Sequence, residues 1–156
     1  MSSSRLDTQL QGITDLTLLT PIRPGFVEAF ETITYVARLR AVLKTLNGLR
    51  LASRESTQPA SPYTDVVSRY RIVHSFRWAI VDPAPGSGEP HKLLLNVSFD
   101  GGWEPYMRVI WRDLGSLLDV ILCHCSSYTL SVTTSFERYA QWVRDNEIPP
   151  GFLFIE

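Results

Sequence analysis

The chain has 156 residues, 44% hydrophobic and 20% charged, with a formal net charge of -1, which makes it one domain able to bury about two-thirds of its unfolded surface. Near-neutral charge excludes a nucleic-acid partner held by a broad cationic face, and charged residues interrupt every apolar stretch before it reaches the length of a membrane span. Two cysteines spaced i, i+2 do not make a secreted disulfide framework, and "MSSSRLDTQLQG" carries no apolar signal segment, so the expected location is cytoplasmic.

Residues 1–11 read as a flexible polar arm, residues 12–148 as the domain, and residues 149–156 as an extended tail. "ITDLTLLTPI" is rich in β-formers and stops at proline, which predicts a first strand. In "PGFVEAFETITYVARLRAVLKTLNG", Phe26, Phe30, Ile33, Ala37 and Ala41 recur at helical spacing, with Asn47-Gly48 as a stop. Residues 50–65 are polar, contain two prolines and lack a period, which predicts a surface loop. "SRYRIVHSFRWAIVD" then alternates, placing Tyr70, Ile72, His74, Phe76, Trp78 and Ile80 on one face.

After the turn-rich "PAPGSGEPH", "KLLLNVSFD" is a returning strand with Leu93, Leu95, Val97 and Phe99 on its oily face. Trp103, Met107, Ile110, Leu114, Leu117 and Ile121 form the core stripe of a second long helix. "YTLSVTT" predicts a fourth strand, and "SFERYAQWVRDN" a short C-terminal helix capped by Ser135. The resulting fold class is α+β: a ferredoxin-like βαββαβ domain with a four-stranded antiparallel sheet, two long helices on one face and a short C-terminal helix.

"LTLLTPIRPGFVEAF", "IVHSFRWAIVD", "LLLNVSFDGGWEPYMRVI" and "LLDVILCHCSSY" occur in an order and spacing that resembles bacterial ferredoxin-like domains of the dimeric α+β barrel group. Those domains carry a His-Phe-Ala-Arg-like strand and an Asn-Phe-Asp-Gly-like strand end. The wider group includes dye-decolorizing peroxidases, chlorite dismutase-like haem proteins and cofactor-free monooxygenases. The peroxidases' Gly-x-x-Asp-Gly element corresponds here to Val97-Ser98-Phe99-Asp100-Gly101, without the first glycine. In the resembled domains a Cys-x-Gly-Tyr-Pro-like turn follows the second helix, and here Ser126-Ser127-Tyr128-Thr129 after Cys125 lacks its Gly and Pro. The resemblance implies the fold and a homo-oligomer or other protein partner.

Three groups of residues can carry chemistry. Cys123-His124-Cys125 offers metal or redox ligands, but a tetrahedral site needs a second pair, and a thioredoxin-like motif needs C-x-x-C. The competing reading is two small apolar thiols at a helix end, with His124 favoured there in its charged form by the helix dipole. No metal is therefore expected. His74 is either a hydrogen-bonded core residue or, with Arg77, an acid–base or haem-ligand candidate. Arg71, Arg77, Asn96, Ser98 and Asp100 would share the mixed face of the hairpin, as a protein interface or an anion pocket, with Asp100 alternatively capping the following helix. No cofactor is called for by these residues, haem being the alternative. The functional expectation is a non-enzymatic module that self-associates or docks through its open sheet face. The alternatives are an oxidoreductase or monooxygenase-like enzyme and a carrier of a small hydrophobic ligand.

Overall fold

The computed structural model describes residues 13–28, 30–55 and 73–148. Its centre is a three-stranded sheet of β1 (Ile13–Pro21), β4 (Val73–Val81) and β5 (Lys92–Asp100), in the order β1-β5-β4 and antiparallel throughout. Because β5 runs against both neighbours, β1 and β4 are parallel to each other with one strand between them, the arrangement of a split β-α-β unit. The polar residues 1–11, the end of the surface loop at 56–65, Arg71 and the tail at 149–156 lie outside the described residues.

Period-2 sequence determines the sheet's two faces. Along β5, Leu93, Leu95, Val97 and Phe99 are buried while Leu94, Asn96 and Ser98 are only half-buried. The register sets Thr14, Leu16, Leu18 and Thr20 of β1 opposite the buried set, and Phe76, Trp78 and Ile80 of β4 pack against the same core. Each large apolar side chain removed from water in this layer contributes about 1.5–3 kcal/mol. At His74 the two ladders fall out of step: Val73 pairs with Phe99 and Ser75 with Ser98, so one extra residue is accommodated there. The alternation that aligned His74 with Phe76 is interrupted at that point, and the His74 side chain lies outside the described residues.

The first helix differs from the sequence expectation at both ends. Two short strands, β2 (Phe26–Val27) and β3 (Phe30–Thr34), pair antiparallel, and α1 spans Tyr35–Glu55. The β-branched run Thr32-Ile33-Thr34 disfavours helix, and Gly25 at φ 78° turns the chain into β2. Thr34 accepts a hydrogen bond from the Ala37 N–H (3.1 Å), so the helix begins where a hydroxyl can cap it. Gly48 does not take the left-handed conformation of a helix stop, and α1 continues through residues 50–55, which the sequence had assigned to the loop.

The second long helix is present with a defect in its middle: α2 (Trp103–Val109), a π-helical turn (Ile110–Leu114) and α3 (Gly115–Leu122). A π turn adds a residue to the helical circuit. The buried stripe consequently passes from Met107, Ile110 and Leu114 to Leu118, Ile121 and Leu122, leaving Leu117 only partly buried. Asp100 does not cap α2, whose N-cap position is Gly102 with no side-chain cap.

The stretch predicted as a fourth strand is a loop with a 3₁₀ turn at Ser131–Thr133. Ser131 is drawn inward by bonds to α3, which removes its backbone from the sheet. The outer edge of β1 is met instead by residues beyond the last helix: Leu18 bridges to Glu147, and the Ile148 N–H donates to the Thr17 carbonyl (2.8 Å). That last helix, α4 (Phe136–Asn146), starts at Ser135, whose hydroxyl accepts from the Arg138 N–H (3.3 Å). Two cation–π contacts align α4 antiparallel to α2: Arg108 lies 4.1 Å from the Phe136 ring centroid and Arg144 lies 4.2 Å from that of Trp103. Among the described residues no helix is long and apolar enough to cross a membrane.

Candidate functional site

The half-buried side of the sheet gathers four of the five residues of the mixed constellation. Arg77 pairs in register with Asn96, and Asn96 with Thr17 on the far strand, so a polar row crosses the sheet. The Asn96 amide donates to the Thr17 hydroxyl (2.9 Å), and Ser98 donates to the Asp15 carboxylate. These bonds tie the central strand to β1 in two neighbouring rows, Thr17–Asn96–Arg77 and Asp15–Ser98–Ser75, with one charged residue at an edge of each. Asp15 on β1 and Arg77 on β4 are exposed, and Arg77 makes no ion pair among the described residues. One step along, Leu19, Leu94 and Ala79 form an apolar row across the same face. Asp100 stands exposed at the strand end beside Ile13, and Arg71 is outside the described residues.

The Cys123-His124-Cys125 segment is a seam between the end of α3 and the end of β1. Ile22 bridges to Cys125, the Arg23 N–H donates to the His124 carbonyl (2.9 Å), and the Arg23 Nε donates to the Cys125 carbonyl (3.1 Å). Both cysteines are free thiols. Burial pushes Cys125 up to about 12, the Thr20 hydroxyl beside it pulling weakly the other way. Burial also raises Cys123, against the lowering field of Arg38. Neither thiol has the depressed pKa that makes a cysteine nucleophilic.

His124 is 2% exposed and uses both ring nitrogens. Arg38 donates from Nε to the His124 Nε2 (2.9 Å), so that nitrogen must carry the lone pair and Nδ1 the proton, which goes to the Ile121 carbonyl (2.9 Å). Desolvation holds the ring's pKa below the usual value, Arg38 pushes the same way, and the Ile121 carbonyl opposes them. The histidine is thus kept neutral, contrary to the expectation that the helix end favours its charged form: burial and a neighbouring guanidinium outweigh the dipole. Its available lone pair is already spent on Arg38. Among the described residues no group of three His, Cys, Asp or Glu side chains could hold a metal ion.

A pH dependence follows with a definite sign. Below the usual histidine value of 6.5 the unfolded chain binds a proton that folded His124 resists. The stability contributed by neutral His124 is therefore complete above that pH and is lost as pH falls below it. The melting temperature should decline between about pH 7 and pH 5, and less steeply in His124→Asn, which keeps a donor for Ile121. Equal slopes in the two proteins, measured by circular dichroism, would remove His124 as the cause.

Sequence reasoning missed a heavily bonded buried side chain, Asp119. Asp119 on α3 is buried and accepts from the Tyr128 hydroxyl, the Ser131 N–H (3.0 Å) and the Ser131 hydroxyl (2.8 Å). Tyr128 is pushed up by burial first, then by Tyr139 and Asp119, and Tyr139 is raised to about 12 mainly by burial. Trp111 of the π turn donates to the Ser131 carbonyl (3.1 Å), and Trp142 of α4 to the Ser126 carbonyl (3.3 Å). The cluster pins the 126–133 loop to three helical segments. A lone carboxylate inside the apolar run "LLDVIL" was the available signal, since a buried acid requires donors.

No protein-family model, curated protein or solved structure matches this chain. Function has to be argued from the geometry of these three places. The Cys-His-Cys seam and the Asp119 cluster are inward-facing and saturated with internal bonds. The sheet face combines an ordered polar centre with groups left available to a partner.

Proposed function

We propose that the chain is a non-enzymatic interaction module of ferredoxin-like architecture that self-associates through the half-buried face of its sheet. The observation that carries this reading is the alternation along β5, the central strand: one side is sealed in the core and the other keeps Leu94, Asn96 and Ser98 partly accessible. The split β-α-β order supports the architecture. Central-strand residues that remain accessible on one face are what a second layer covers in sheet packing.

The occupant favoured by charge is a second copy. Asp15 lies on one edge strand and Arg77 on the other, so a two-fold axis parallel to the strands sets β1 of one copy over β4 of its partner. Acid then faces guanidinium twice, on one side of the apolar row Leu19, Leu94 and Ala79. Such a pair steers encounter and fixes orientation more than it adds affinity.

The test is a concentration series by size-exclusion chromatography with light scattering. The wild-type chain is expected to dimerise. Arg77→Asp should weaken the dimer about tenfold, or about 1.4 kcal/mol, and adding Asp15→Arg to it should restore most of the loss. A monomer at every concentration would overturn self-association.

A further inference from the structure

Away from the sheet face, a cleft of about 720 Å³ opens beside the end of β1. That volume lies within the range of small-molecule sites, roughly 300–1,000 Å³. Its walls are the turn after β1 (Ile22, Arg23), the first turns of α1 (Val36, Arg40) and the arm leading into β5 (Glu89, His91). The rest of the lining includes Pro24, Ala37 and Pro90, so most of the surface is apolar.

Arg23 is the distinctive group. It is half-buried, and two carbonyls fix its plane: Nε donates to Cys125 (3.1 Å) and Nη2 to Tyr128 (3.4 Å). Carbonyls orient a guanidinium without cancelling its charge, and N–H groups at its outer end remain to be used. Among the described residues Arg23 has no carboxylate partner. Arg40, by contrast, is already paired with Asp82 (2.7 Å), whose same oxygen lies 3.4 Å from the His91 Nε2. The first turn of α1 holds no acidic residue, so nothing there opposes an anion either.

We propose that this cleft binds a small organic monocarboxylate, with its carboxylate on the outer edge of Arg23 and its apolar body against Ile22 and Val36. A planar fork facing two oxygens favours carboxylate geometry. The charge balance favours a single negative charge: Arg40 is neutralised by Asp82, and Glu89 in the wall repels a second anionic group. A polyphosphate would meet one unpaired guanidinium and an opposing carboxylate. This site shares no residue with the sheet face, so its fate and that of the self-association reading are separable.

The experiment is an amide NMR titration of the full chain with hexanoate, benzoate and 3-phenylpropanoate, set against 3-phenylpropanol and inorganic phosphate. At least one carboxylate should saturate, with shifts centred on residues 22–25, 34–40 and 88–91. The alcohol and phosphate should bind at least about tenfold more weakly. Arg23→Gln should abolish the saturable shifts. Because Arg23 also ties down the loop, the second variant is Glu89→Gln, at an exposed position, which should tighten carboxylate binding about threefold. Overturning results are no saturation by any carboxylate at ~10 mM, equal binding of acid and alcohol, or an affinity indifferent to Glu89→Gln.

Discussion

Asp119→Ala is expected to lower the unfolding free energy by about 3–5 kcal/mol, the largest loss of any single side-chain truncation outside the apolar core among the described residues. The side chain is 8% exposed, and three donors converge on it: the Tyr128 hydroxyl and the Ser131 N–H and hydroxyl. Alanine leaves all three in place with nothing to accept them. Each buried, unsatisfied donor costs about 1–3 kcal/mol, so the cost of stranding them exceeds the modest net value of the bonds when made. For a chain of this size the melting temperature should fall by about 10 °C, read by thermal circular dichroism.

The same geometry predicts a graded series. Tyr128→Phe removes one donor together with its partner bond and should cost about 1 kcal/mol. Asp119→Asn retains one carbonyl oxygen but turns an amide N–H₂ toward groups that are themselves donors, so it should fall between the two. A loss below about 1 kcal/mol for Asp119→Ala would mean that water reaches the donors and that the cluster does not hold the loop.

What could be read from the sequence followed from burial on one face only. β4 and β5 were legible because alternate residues meet core and solvent, and the C-terminal helix because Ser135 precedes an amphipathic run. The pair β2 and β3 was not, since Phe26, Phe30 and Ile33 satisfy helical spacing, while the deciding features were local: positive φ at Gly25 and the β-branched stretch before Tyr35. The π turn was invisible to a periodicity that assumes an unbroken helix; beyond Leu114 the buried position is Leu118 in place of Leu117, while Ile121 is buried as expected. "YTLSVTT" has strand composition, but β propensity is weak beside a buried carboxylate that captures Ser131. The shared face of Arg77, Asn96 and Ser98 could be derived from strand pairing, whereas the neutral His124 could not. Its state depends on Arg38, which lies 86 positions away in the chain and reaches it only once α1 and α3 are packed.

Gly115→Ala tests how closely that loop is held. Inside a helix this substitution ordinarily stabilises, by up to about 1 kcal/mol, because alanine restricts the unfolded chain and favours helix. Gly115 opens α3 with ordinary helical angles, φ -56° and ψ -46°, so the backbone itself raises no objection. The obstacle is Ser131: an added Cβ would sit 2.5 Å from its Oγ and 2.6 Å from its Cβ. The serine cannot step aside freely, because its hydroxyl and N–H are both bound to Asp119 and its carbonyl to Trp111. Relief must come from moving the loop off the helix, at the expense of those bonds. The expected result is a loss of about 2–3 kcal/mol, opposite in sign to the helix-propensity effect. Ser131→Gly removes both obstructing atoms, so in the double variant the alanine should cost much less than it does alone. The resulting coupling, about 1–2 kcal/mol, is measurable by denaturant unfolding of the four proteins in the cycle. Strict additivity, or a stabilising Gly115→Ala, would place the loop farther from α3 than the Asp119 bonds require.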